Sequence, residues 1–324
     1  MAARPQVLSV DNPYSGETYC ELPLVSESEA MAAVDRAARA QKQWAETKVA
    51  ERVALVGRFI EAFLADKEAV ARDITGMMGK PIGQARGEVD TMAARARYMA
   101  SVAEEVLADV ELPPVENFRK KIIREPVGVV LNVAPWNYPL LTAVNCIVPA
   151  VLAGNSVIIK HASRTPLCGE HFARAFQKAG APKDLVTALV LSHKAVDGII
   201  QRKEVGHVAF TGSVKGGHEI YRSAAANRFI NATLELGGKD PGYVAEDADF
   251  NHALENLVDG AFYNAGQSCC GIERIYVHEK HYDRFVEGAV ELVKKYRLGD
   301  PMDPATTMGP MATPGSAEFI EGQV

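Results

Sequence analysis

The sequence predicts an α/β fold, a parallel sheet with flanking helices followed by a second, incomplete α/β unit. Three observations carry that expectation. From Val127 onward, short β-rich apolar runs (VGVVLNV, SVIIK, VTALV, GHVAF, ATLEL) alternate with helical stretches. Such alternation implies right-handed crossovers and a sheet covered on both faces. The chain of 324 residues, 48% hydrophobic and 23% charged, has the composition of an ordinary globular protein of about two domains. After Gly237 and Gly238 the alternation resumes through GYVA and RIYVH, then gives way to a tail rich in Pro, Gly and Thr.

Each element has its own signal. VLSVDNPYSGE is an extended entry with turn pairs at Asn12-Pro13 and Ser15-Gly16. Ser26 with Glu29 three residues later reads as a capping box, and Met31, Val34, Ala38 and Trp44 recur behind it at helical spacing. Leu55, Phe59 and Phe63 mark a second helix. A third stripe (Val89, Met92, Ala93, Ala96, Met99, Ala100, Ala103, Val106) runs from Gly83 to about Val110 and reads as core. LPPVENFRKKIIREP reads as a protruding strand pair. Further helices are expected near 140–152, 166–178, 196–202, 219–225, 249–264 and 280–296.

Charge and cysteine content narrow the function classes. Lys and Arg total 35 against 41 Asp and Glu, a net charge of −6 that offers no global attraction to nucleic acid or to an anionic membrane. No run approaches the roughly 20 apolar residues that span a bilayer, and the opening segment lacks the apolar core of a secretory signal. The five cysteines (Cys20, Cys146, Cys168, Cys269, Cys270) make neither a disulfide framework nor a metal-ligand spacing, so no metal is expected and the cytoplasm is the expected compartment.

Five segments carry candidate chemistry. In FYNAGQSCCGIERIYV, Cys269 sits between a helix and a strand, where backbone N–H groups stabilise a thiolate and lower its pKa. An isolated cysteine is more simply a small buried hydrophobe, the reading given to Cys20, Cys146 and Cys168. In TLELGGKDP, Glu235 ends a strand before two glycines, where partial burial raises a carboxyl toward the range of a general base; a Glu at a strand end taken alone is more often a solvated or capping group. Asn137 in NVAPWNYPL offers an amide donor to an oxyanion, or simply forms a turn. Lys160 in VIIKHASRTP can donate to ribose or phosphate oxygens, and Gly212 and Ser213 in FTGSVKGG precede a helix whose free N–H groups suit a diphosphate. Neither is a Walker loop or a G-x-G-x-x-G fingerprint.

Together, and in this order, PWN, K-x-x-S-x-T-P, FTGS, ELGGK and GQ-x-C resemble the aldehyde dehydrogenase superfamily, and the likeness runs along essentially the whole chain. The resemblance implies a Rossmann-like cofactor domain over 1–110 and 126–236, oligomerisation strands over 111–125, and a partial catalytic domain over 237–324. It implies Cys269 as nucleophile, Glu235 as general base and Asn137 in the oxyanion hole. Pro135, Trp136, Lys160, Ser163, Gly212, Ser213, Leu236 and Gly237 are the implied cofactor-binding residues. The implied reaction is oxidation of a small aldehyde to a carboxylic acid with NAD or NADP through a thiohemiacetal and a thioester on the cysteine, by a protein that forms homo-oligomers. A coenzyme A or phosphate acceptor is disfavoured by Glu235.

Two departures qualify the expectation. Ser163 replaces the Glu common in NAD-preferring members, and with Lys160, His161 and Arg164 nearby it predicts that NADP is accepted at least as well as NAD. The chain has no E-x-F-G-P segment, the family's nicotinamide-ribose site, which suggests a C-terminally truncated sequence and a second reading: a weakly active or inactive remnant that binds nucleotide or associates with a full-length relative. Cys270 is expected to pack beside the nucleophile, with a vicinal disulfide as the sharper alternative.

Overall fold

The computed structural model describes residues 6–323; residues 1–5 and 324, at the outer ends of the first and last predicted domains, lie outside the described residues. The entry segment is an antiparallel hairpin of β1 (Val7–Asp11) and β2 (Thr18–Pro23). Helix α1 (Glu27–Ala45) begins where predicted, with the Ser26 hydroxyl accepting from the Glu29 N–H at 3.2 Å. The reciprocal half of the capping box does not form, because the Glu29 carboxylate pairs with Arg36 instead.

Helices α2 (Val49–Ala65), α3 (Lys67–Met78) and α4 (Ile82–Leu107) follow. The α4 stripe is core as read, except that Val106 is 56% exposed, because in the last turn it is Leu107 that faces the core. The protruding pair is β3 (Val110–Glu111) with β4 (Lys121–Ile122), one residue earlier than expected, because the two prolines at 113 and 114 deny the ladder an N–H donor.

The main sheet holds β5 (Val129–Ala134), β6 (Ser156–His161), β7 (Val186–Ala188), β8 (Val205–Thr211) and β9 (Asn231–Glu235) in the order β7-β6-β5-β8-β9, every pair parallel. Its crossovers are α5 (Pro139–Leu152), α6 (Pro166–Lys178), α7 (His193–Ile200) and α8 (Val214–Ala226). Strands β5 and β6 are buried along their whole length, as a sheet covered on both faces requires. One face packs α2, α4, α5 and α6 around Phe59, Phe63, Phe172 and Phe176, whose rings approach to 4.1 Å between centroids for Phe59 and Phe176. Burial of each such ring is worth roughly 1.5–3 kcal/mol. The other face packs α1, α7 and α8 over Leu131, Ile158 and Val208.

The second unit pairs β10 (Asp240–Val244) in parallel with β11 (Ile272–Val277), joined by α9 (Phe250–Phe262) and followed by α10 (Tyr282–Val293) and the short α11 (Ser316–Glu321). Its core is small, centred on Val244, Phe250 and Phe285, and Tyr243 on β10 stays 70% exposed. Helix α9 ends two residues before the predicted 264, in a tight turn in which Asn264 and Ala265 both take positive φ.

Candidate active site

Strand β5 lies at the centre of the sheet; the chain moves outward from it to β6 and β7 on one side, and later to β8 and β9 on the other. The gap between β5 and β8 is therefore a topological switch point, where parallel sheets take ligands beyond the carboxyl ends of their strands. Those ends carry the segments singled out from sequence. Strand β5 runs into Pro135, Trp136 and Asn137, β6 into Ser163, β8 into Gly212 and Ser213, and β9 closes on Glu235 before Leu236 and Gly237.

Cys269 and Glu235 line one open groove of about 830 Å³, together with Tyr138, Asn132, His207 and Thr233. The cysteine reaches it because the chain unwinds after α9. Gln267 fixes that loop, its Nε2 donating to the Asn264 carbonyl at 3.0 Å and its Oε1 accepting from the Ala312 N–H at 2.9 Å. Gly238 lets the two segments meet, since a Cβ there would lie 2.8 Å from the Cys269 carbonyl oxygen. The Asn137 Oδ1 accepts from the Tyr138 N–H at 3.0 Å, which leaves its Nδ2 as the donor end.

Two expectations about these groups are corrected. Burial, the neighbouring Cys270 thiol and its hydrogen bond push the Cys269 thiol up, against a smaller downward pull from the backbone N–H groups of Cys269 and Cys270, so the thiol is protonated at neutral pH rather than activated in the resting protein. Glu235 is exposed rather than partly buried, because it lies on β9, the edge strand of the sheet, and faces the open groove.

The cofactor candidates divide. Lys160 and Ser163 share a narrow cleft with Leu8 and Leu191 at the end of β6. Lys160 is 8% exposed, has no hydrogen-bond partner among the described residues, and is pulled down by burial. A desolvated ammonium without a partner is suited to ligand hydroxyl or phosphate oxygens, so the residues present fit a nucleotide. The Gly212 N–H is not open as expected; it donates to the Glu235 carbonyl at 3.0 Å and extends the β8–β9 ladder. Ser213 caps α8 through its hydroxyl, accepting from the Gly216 N–H. Leu236 packs on Gly217 of α8, and Trp136 packs on the helical core. Pro135, Trp136, Gly212, Ser213, Leu236 and Gly237 line neither cavity, and nor does the oxyanion candidate Asn137, which abuts the groove through its neighbour Tyr138.

Of the cations near Ser163, two are spent. Arg164 is bound to Asp11, and His161, 5% exposed, is pushed down to about 3 by burial and by Lys160, so it carries no charge at neutral pH. Sequence reasoning missed Lys80, Glu88, Tyr138 and Asn264, which hold the two halves of the site together. The Tyr138 and Ser268 hydroxyls lie 2.6 Å apart, and the Asn137 carbonyl accepts from both Lys80 and Asn264. No spacing rule links positions so far apart in the chain. The one signal in the sequence is Asn264 just ahead of Gly266, since Asn and Gly are the residues that favour the positive φ both adopt here. No group of His, Cys, Asp and Glu among the described residues is arranged to hold a metal, and no helix among them is long and apolar enough to cross a membrane.

A parallel sheet with helices on both faces, and a thiol and a carboxylate lining one groove beside its switch point, places the protein in the class of α/β nucleotide-dependent enzymes. The chain belongs to the aldehyde dehydrogenase family, which it matches over residues 1–324. It is 32% identical over its full length to a succinate-semialdehyde dehydrogenase [NADP(+)] of Deinococcus radiodurans, of which it covers 68%. To the Mycobacterium avium protein of the same name it is 36% identical over 316 residues, covering 97% of this chain and 67% of that one. The crystal structure of succinic semialdehyde dehydrogenase from Streptococcus pyogenes in complex with NADP+ superposes with a TM-score of 0.92 at 32% identity, covering 98% of this chain and 69% of that one.

Proposed function

We propose that the protein oxidises a small aldehyde to its carboxylic acid with NADP, through a thioester on Cys269. The observation that carries this is the shared groove of Cys269 and Glu235 beside the switch point. In the first half-reaction Cys269 Sγ attacks the aldehyde carbon while Glu235 takes the thiol proton; the exposure of Glu235 lets that proton pass to water. Asn137 Nδ2 and the Cys269 N–H donate to the oxyanion that forms. Lys160 and Ser163 at the end of β6 would hold the nicotinamide cofactor, which would supply the hydride acceptor. Glu235 then takes a proton from the water that attacks the thioester, the C–S bond breaks, and the thiol is restored as the acid leaves.

NADP is favoured over NAD because Ser163 places no carboxylate to repel a 2′-phosphate and Lys160 is the remaining unpaired cation in that cleft. Relatives named for succinate semialdehyde make a semialdehyde the first substrate to test. Residues 6–110 and 126–236 form the cofactor domain in this reading, 237–323 the catalytic part, and β3 with β4 an oligomerisation edge, whose exposed Phe118 and Ile122 favour a homo-oligomer. The free cysteines favour the cytoplasm. A second reading, a remnant that binds nucleotide without turnover or pairs with a longer relative, is favoured by the exposed Tyr243 and Tyr276 of the second unit.

The test is NADPH formation with a panel of aldehydes that includes succinate semialdehyde, run beside Cys269→Ala. Turnover that vanishes in the variant supports the enzyme, whereas nucleotide binding with no turnover in the unmodified chain supports the second reading.

A further inference from the structure

Lys80 and Glu88 form an ion pair with side chains only 1% and 3% exposed, at the junction of α3 and α4, far in sequence from every residue of the proposed mechanism. A buried pair of charges is costly to desolvate and is no better for stability than an apolar pair of the same size. Its remaining contacts point to one place. The Lys80 ammonium donates to the Asn137 carbonyl at 2.8 Å and sits 4.3 Å from the centre of the Tyr138 ring. Through Oε1, the Glu88 carboxylate accepts from the N–H groups of Leu140 at 2.9 Å and Leu141 at 3.3 Å, capping the first turn of α5. Every residue from Asn137 to Leu141 except Pro139, which has no N–H to give, is thus touched by one member of the pair.

The same Asn137 carbonyl accepts from Asn264 Nδ2 at 3.2 Å, on the turn that leads to Cys269. One oxygen atom therefore joins the oxyanion-donor turn, the nucleophile loop and the buried ammonium. A point charge with three donors can hold both the carboxylate and the carbonyl at once, which no neutral side chain of similar length can do.

We propose that Lys80, with Glu88 as its counter-ion, is a positioning residue that aims the Asn137 amide at the oxyanion formed on attack by Cys269; this rests on the function proposed above. Lys80 touches neither substrate nor cofactor. It acts through Asn137, and the pair is retained for the geometry of that turn.

The experiment is a double-mutant cycle between the charge-free pair Lys80→Met/Glu88→Gln and Asn137→Ala, with Lys80→Arg/Glu88 intact as the conservative variant. Removing both charges together avoids leaving one of them buried alone. The charge-free pair is expected to lower kcat about 10²-fold at unchanged KM and NADP affinity, the size of loss that follows a misplacement of about 1 Å. In the Asn137→Ala background the same pair should cost less than threefold more, and Lys80→Arg should recover part of the loss. Hydrogen exchange at the Tyr138 amide, which is bonded to Asn137 Oδ1, should quicken in the charge-free pair while exchange in the β5 and β6 core does not.

Additive losses in the cycle, or a Tyr138 amide as protected as in the unmodified protein, would overturn the proposal. The exchange measurement needs no turnover. An unmodified chain that turns over no aldehyde sinks the proposed function, while a kinetic cycle that is additive in an active enzyme sinks only the role of Lys80.

Discussion

Arg164 closes on Asp11, its Nη1 donating to the carboxylate at 2.5 Å and its Nη2 to the Asp11 carbonyl at 2.8 Å, so the guanidinium beside the cofactor cleft ties the entry hairpin to the start of α6. The Arg164 hydrogen bond, opposed by some burial, holds the Asp11 carboxyl below its usual range. That leaves Lys160 as the cation available to a 2′-phosphate.

Removal of each cation should therefore have a different consequence. Lys160→Met is expected to weaken NADP binding roughly tenfold to a hundredfold, the worth of one charge-assisted hydrogen bond. Arg164→Ala should lower the melting temperature yet leave the ratio of the NAD and NADP dissociation constants within about twofold. Titration of both cofactors into both variants checks this, and a collapse of NADP preference in Arg164→Ala would return Arg164 to the site.

The raised thiol of Cys269 sets its reactivity. With the thiol mostly protonated at pH 7, alkylation by iodoacetamide should speed up about tenfold per pH unit across the neutral range, because only the thiolate reacts. Cys270 is one of the groups holding that thiol up. Cys270→Ala should accordingly make alkylation of Cys269 several-fold faster at pH 7, read by mass spectrometry of the labelled peptide. An unchanged rate would mean that burial alone sets the thiol.

Much of this fold was legible because the strands of the main sheet are short β-rich runs, mostly apolar, separated by helical stretches, and most helices begin or end at a capping or breaking residue. Helix α8 was expected only from 219, since Gly216 and Gly217 argue against a helix; the structure starts it at Val214. Those glycines are there for close approach, as a Cβ at either would come within 2.7 Å of Phe210 or Leu236. The site was legible as a set of segments in order. The partners of its charged groups were not, because Asp11 lies 153 residues from Arg164 and Lys80 lies 57 from Asn137, and no local pattern carries such pairings.

A second polar cluster makes a prediction about acid stability. Asp73 accepts from Tyr19 at 2.7 Å and pairs with His171 at 2.6 Å. Burial pushes its carboxyl up, but the hydrogen bonds from His171 and Tyr19 outweigh it and leave the group below its ordinary value. A carboxyl depressed in the folded state stabilises at pH values above its unfolded pKa of about 3.9, and that contribution fades as pH falls through the folded value. Asp73→Asn should cost about 2 kcal/mol near neutrality. Its deficit against the unmodified protein should shrink below about pH 4, which denaturant melts across the acid range would reveal.

Glu235 is the group whose two roles separate in time. If it serves only the hydrolysis of the thioester, Glu235→Gln should form about one equivalent of NADPH per active site and then stop, because the acyl group stays on Cys269. Since the resting thiol is protonated, the same variant should also reach that equivalent more slowly, and the burst should quicken as pH rises and the thiol ionises without help. Rapid-mixing measurements of NADPH formation from pH 7 upward distinguish the two contributions. A burst as fast as in the unmodified protein at pH 7 would confine Glu235 to the water, and steady turnover in Glu235→Gln would remove it from the mechanism.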